Sequence, residues 1–422
     1  MLLYFSFIYF LIILFIAWQK EKRFSTSVFL AATYVVTSLF AIMVNHFKIM
    51  SIRELSFSGV FVFCLLITMG VLPFLLVPDR CYSRPKPLLN DKPIRVIAWI
   101  SFLYFLLFLI LSLSSIIRVL TGDIAEMRMN VYSGDAEDTW MSFLPPAIAI
   151  PVRIINSFFG CPWIYILLGF YAMVIQRMPR KYYMMLLVSS LMGPIRGIIG
   201  VDRSVVTYWI LSLVAIYLFF KPWMDENQTK NSKRIGIVLL SLAILYLGLV
   251  TTSRFEEHVY SNELSGASGG IIGYLGQNII NFAWFYDHYP AQYTSAEQIF
   301  PFTYKFIIGT PFGDAVSMQK FLTWQTGIRT GVFYSYLGAM LISVGKTGMY
   351  LYCIGLFIIS NILCGVRKGG LLAIYCRFIV LFVIMLGLFG HYYSAASRTF
   401  SVVAFFFVIR AMERRGLESQ SW

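Results

Sequence analysis

The chain has 422 residues, of which 59% are hydrophobic and only 13% charged, against about 45–50% and about 25% in a soluble domain. This composition excludes an ordinary soluble enzyme, a disordered chain and a disulfide scaffold. A net charge of +14 would point to nucleic acid in a soluble protein, but in so apolar a chain it reflects the excess of Lys and Arg in cytoplasmic membrane loops, and no nucleic-acid partner is expected.

A bilayer core of about 30 Å needs about 20 apolar residues of helix. Segments of that kind run over 2–18, 26–44, 56–77, 96–117, 156–176, 182–195, 204–220, 235–252, 347–364, 371–389 and 399–412. The sequence therefore predicts an all-α integral membrane protein of about eleven (ten to twelve) transmembrane helices, one polytopic domain over 1–422. The first segment has no basic flank before it and no small-residue cleavage site after it, so it reads as a retained span. Residues 144–155 carry Pro145, Pro146 and Pro151, which break a helix, and they are expected at the outer surface. Residues 253–330 form a large loop of 78 residues, too long for a simple linker. Its mix of Gly, aromatic and polar residues predicts a packed periplasmic cap with short helices. The apolar stretch 331–345 is expected as an outer-face helix that turns at Gly345–Gly348 into the next span. The whole insertion, 253–346, precedes the last three spans.

Charge sets the orientation. The turns after alternate spans, with the C-terminus, hold 20 of the 34 basic residues against seven acidic ones. That face is expected to be cytoplasmic, which puts the N-terminus in the periplasm and the C-terminus inside. The opposite face is acidic: 118–143 and 253–330 together carry six basic and eleven acidic residues.

Little else in the sequence marks a cofactor. The cysteines (Cys64, Cys81, Cys161, Cys353, Cys364, Cys376) fall in or near spans and read as small hydrophobes. No CxxC, HExxH or Cys/His cluster at zinc spacing occurs, and no P-loop, so neither a metal nor any other cofactor is expected. His46, His258, His288 and His391 all fall on the outer side of this topology.

The informative residues are cations on the face that should lack them: Arg153, Arg196, Arg203, Arg254, Arg329 and Arg398. A cation beside the apolar region must snorkel, pair or meet an anion, and the guanidinium fork suits phosphate and carboxylate. Each also has a plain reading: Arg153 snorkelling to the interface, Arg196 flanking the tight turn, Arg203 neutralised by Asp202, Arg254 paired with Glu256 or Glu257, Arg329 in a loop, and Arg398 on the surface at a helix N-terminus. Arg377, on the cytoplasmic side, is expected to snorkel inward. Acid–base candidates outside are Asp202, Glu256, Glu257, Glu263, Asp287 and His288. The patch FAWFYDHYP (282–290) adds aromatic faces able to stack on sugar rings or to pack a loop.

Three features together carry a resemblance. They are the turn Gly200–Val201–Asp202–Arg203–Ser204 opening a span, an arginine (Arg254) ending a span before one large outer loop, and TGVFYSYLGAMLISVGKTGMYLY over 330–352. This pattern resembles the O-antigen polymerases (Wzy), the oligosaccharide repeat-unit polymerases, which are related to the O-antigen ligases. Tyr334, Tyr336, Leu337, Gly345 and Gly348 occupy that family's frame. The ligases commonly have a His just before the Tyr/Leu-rich helix, where this chain has Thr330–Gly331–Val332–Phe333, which favours the polymerase.

The resemblance implies a multi-pass inner-membrane glycosyltransferase of lipopolysaccharide or capsule polysaccharide biosynthesis, independent of metal and nucleotide. It would act on oligosaccharide repeat units linked to undecaprenyl pyrophosphate, in contact with membrane lipid and with a chain-length regulator as a further partner. Arg203, Arg254 and Arg329 are then expected to be catalytic, clamping the pyrophosphate. Arg196, Arg398, Arg153, His288 and Tyr334 are expected to bind substrate. The competing expectations are a ligase-like transferase and a lipid-linked oligosaccharide flippase or other transporter. A transporter would place ionisable groups mid-span and show internal repeats; the sequence shows no such repeat and almost no mid-span charge.

Overall fold

The computed structural model describes the chain outside residues 50–53, 122–145, 201, 256–265, 291–298, 301–303, 305–308, 310–314, 331, 368 and 419–422. Among the described residues the regular elements are helices, with no strand. Nine of these helices are long and apolar enough to cross a membrane. They coincide with nine of the eleven expected segments. The remaining two are 156–176, which is broken, and 399–412, which lies within a helix over Ala396–Glu418.

The described residues divide into two compact units. The first comprises Met1–Cys81, Arg254–Gly365 and Ile379–Thr399. It opens with α1 (Leu2–Glu21), α2 (Thr26–His46) and α3 (Phe57–Leu76). Serine begins both later helices: Ser25 Oγ accepts from Val28 N and Ser56 Oγ from Gly59 N, satisfying amides that a helix start leaves open. Buried carboxylates do the same work at the opposite end of α3. Asp79 Oδ2 accepts from Thr26 N at 2.8 Å, and Glu21 Oε1 accepts from Asp79 N at 2.6 Å.

The second unit comprises Tyr82–Ser253, Val366–Phe378 and Phe400–Trp422. Its helices are α4 (Lys92–Thr121), α5 (Pro146–Phe158), α6 (Pro162–Val174), α7 (Arg180–Ser189), α8 (Met192–Ile199), α9 (Arg203–Phe220) and α10 (Glu226–Phe255, reaching Ser253 within this unit). The expected span 156–176 is interrupted at Phe159–Cys161, and only 13 residues of helix follow, about 20 Å of rise. Every residue of α6 from Trp163 to Val174 is buried. An apolar helix enclosed on all sides belongs to a protein core rather than to a lipid-facing wall.

The first unit departs most from expectation inside the large loop. Residues Gly266–His288 form α11, a helix of 23 residues, where short helices are expected. Its core face (Asn278, Ile279, Asn281, Phe282, Ala283, Phe285) is buried. Gly276 lies against the backbone of Phe40 and Ala41 in α2, and Ala283 against Gly59 in α3. These approaches fall in the last third of α2 and the first third of α3, so α11 packs at the end where those two helices are joined. A shorter helix, α12 (Ala315–Thr326), follows, then α13 (Ser335–Gly365). Helix α13 is broken at Gly345, where φ is 73° and ψ −178°, a conformation glycine adopts without strain. The break lies where the sequence places a turn. The residues before it, Ser335–Ser343, are buried throughout. Helices α14 (Leu371–Met385) and α15 (Ala396–Glu418) complete the chain, and Tyr34 of α2 donates to the Ile384 carbonyl at 2.6 Å.

Candidate functional site

In the second unit, Arg196 and Arg203 stand on consecutive helices joined by a tight turn, in which Asp202 N donates to the Gly197 carbonyl at 2.7 Å. Their duties differ. Arg196 serves the break between α5 and α6. Its Nη1 donates to the Phe159 carbonyl at 3.3 Å, its Nη2 donates to Asn156 Oδ1, and its plane lies 5.5 Å from the Phe108 ring. The neighbouring Phe158 carbonyl accepts from Tyr165 and Ser401. A break frees backbone carbonyls that must be satisfied inside an apolar core, and Arg196 satisfies one of them.

Arg203 is the first residue of α9 and is only 6% exposed. Asp202, expected as its counter-charge, is exposed and caps α9: its Oδ1 accepts from Ser204 N at 2.8 Å and from Ser204 Oγ at 2.7 Å. A helix N-terminus carries partial positive charge. A guanidinium buried there raises the local positive potential further, and an anion at that end would be favoured by both.

Arg153 and Arg254 belong to the backbone of α5 and α10, but their side chains lie outside the described residues. Arg329 is exposed, just after Gly327, whose φ is 69°. Arg398 is held locally: Nη1 donates to the Tyr392 carbonyl at 2.9 Å and the guanidinium rests 4.7 Å from the Tyr392 ring. Tyr334 is buried, with its ring 5.5 Å from Phe285. His288 is exposed, stacks on Trp284 at 5.0 Å, and places Nδ1 2.9 Å from the Trp284 carbonyl.

Comparisons of the chain with protein-family models, with curated proteins and with solved structures find no match.

Three features are not visible in the sequence. Arg377, expected to snorkel inward, is 3% exposed, with its guanidinium 3.9 Å from the Tyr82 ring and 5.1 Å from Phe219. Cation–π contact offsets part of the cost of that burial. His391 lies between α14 and α15 at 8% exposure, with Nε2 3.2 Å from the Tyr352 hydroxyl and, among the described residues, no partner for Nδ1. Burial pushes its pKa down to about 4. Asp287, in the last turn of α11, accepts from Ser56 Oγ and, at 3.2 Å, from Ser58 Oγ. More than 200 residues separate it from those serines, so no spacing rule could have paired them. Among the described residues no three of His, Cys, Asp or Glu gather in a way that would hold a metal ion.

Proposed function

We propose that this protein is a membrane glycosyltransferase of the repeat-unit polymerase type, acting at the periplasmic face of the bacterial inner membrane. It transfers a growing glycan from undecaprenyl pyrophosphate to the non-reducing end of a new lipid-linked repeat unit. The leaving group is already activated, so the reaction draws on no nucleotide sugar. Its electrostatic demand is to stabilise charge developing on pyrophosphate, a task for preorganised cations. The observation that carries the reading is Arg203, a guanidinium buried at the N-terminus of α9 inside the turn that resembles the polymerase motif. Arg254, at the end of α10 before the large loop, and the exposed Arg329 are the further cations that the sequence marks, both in the first unit.

The test is made in the native host with Arg203→Ala and Arg254→Ala, reading polymer length on a gel and protein level in the membrane. Both variants are expected to leave single repeat units on the lipid anchor at normal protein level. Arg203→Lys is expected to impair as well, since an ammonium lacks the bidentate fork. Full-length polymer from both alanine variants would refute the assignment.

A further inference from the structure

Glycosyl transfer needs a base for the acceptor hydroxyl, and the outer acids of the chain are candidates for it. Asp202 spends its carboxylate on Ser204. Glu256, Glu257 and Glu263 lie outside the described residues. Asp287 is different. It is exposed, and its carboxylate sits in the last turn of α11, the end where the helix dipole opposes negative charge. Among the described residues no Lys or Arg pairs with it; its partners are the Ser56 and Ser58 hydroxyls, one on each oxygen. Ser56 is itself fixed, because its Oγ accepts from Gly59 N at 3.0 Å as the N-cap of α3. A carboxylate without a cation beside it, oriented by two hydroxyls and open to solvent, is organised to accept a proton or a sugar hydroxyl.

We infer that Asp287 is the general base for the acceptor sugar, held in place by Ser56 and Ser58. The inference rests on the polymerase reading above and names the group that reading lacked. In the step, an Asp287 oxygen takes the proton from the acceptor hydroxyl as that oxygen bonds to the anomeric carbon of the growing chain. The anomeric carbon–oxygen bond breaks, and its electron pair leaves on undecaprenyl pyrophosphate. The proton then passes from Asp287 to water.

The experiment uses the full chain in nanodiscs with lipid-linked repeat units extracted from the native host. Asp287→Asn keeps the shape and an acceptor oxygen for the serines but removes the base. It is expected to lower kcat at least a hundredfold, within the range general bases contribute, while the KM for the acceptor stays within about threefold of wild type. Asp287→Ala is expected to lose activity and to regain part of it with added formate, a rescue that a purely structural carboxylate would not show. If wild type lengthens the units and Asp287→Asn does so at a comparable rate, the base assignment is overturned and the polymerase reading stands. The base assignment is likewise overturned if Asp287→Ala is inactive and formate restores nothing. If wild type itself lengthens nothing, the polymerase reading fails and the base assignment fails with it.

Discussion

The packing of α11 rests on glycine, and Gly276 provides its sharpest test. A Cβ built there would lie 2.4 Å from the Phe40 carbonyl carbon and oxygen and 2.7 Å from Ala41 N. All three are backbone atoms of a helix and cannot rotate aside. Ordinary contact begins at 3.4 Å, so α11 and α2 must part by roughly 1 Å, a gap that forfeits about a quarter to a half of each dispersion contact along the seam. Overpacking of this kind costs about 1–3 kcal/mol, and alanine returns about 1 kcal/mol through helix propensity. The net loss for Gly276→Ala is therefore about 0–2 kcal/mol, and more for valine. In a unit of roughly two hundred residues, 1 kcal/mol moves the melting midpoint by about 2–4 °C, so the alanine variant should melt up to about 8 °C lower and the valine variant lower still. Gly355 is the control, because a Cβ there meets nothing within 4 Å; Gly355→Ala should leave the midpoint unchanged or raise it. The assay is the thermal midpoint of the detergent-purified protein followed by size-exclusion fluorescence. Equal midpoints for wild type and Gly276→Val would refute the close approach of α11 to α2.

Two further substitutions test the polar framework. His391 is stabilising only while neutral, because burial holds its folded pKa at about 4, below the ordinary 6.5. Its contribution is complete above about pH 6.5 and is lost as pH falls toward 4, about 2 kcal/mol of it by pH 5. His391→Phe should therefore show a smaller drop in melting midpoint between about pH 7.5 and pH 5 than wild type, and parallel drops would rule the buried imidazole out as the cause. Arg196→Ala should lower the midpoint and the membrane level, since it strips charged donors from the Phe159 carbonyl and Asn156, each bond being worth about 1.5–3 kcal/mol. A midpoint equal to wild type would show that the α5–α6 break does not depend on this guanidinium.

The same glycine explains why the sequence conceals this helix. Hydropathy locates nine helices because apolar residues run continuously through them. The break at Gly345 is legible too, since two glycines three residues apart interrupt an apolar run. Residues 266–288 open with GASGGIIGYLGQN, a stretch low in helix propensity and too polar to resemble a span, so composition points to short helices rather than a long one. Yet small residues are what lets helices approach closely in a membrane protein. Gly276 and Gly59 place backbone against backbone, and the packing so gained outweighs the poor intrinsic propensity. The expected short helices are thus one long helix here, set by contacts between residues more than two hundred positions apart.

A parallel argument separates the arginines. Orientation rules mark Arg196 and Arg203 equally, as cations on the face that should lack them. Their surroundings divide them. Arg196 faces carbonyls freed by a helix break, so its positive charge answers a demand internal to the protein. Arg203 begins a helix, adding a cation where the backbone already presents positive charge. Asp287 mirrors it, a carboxylate at the end of α11 where the helix dipole opposes one.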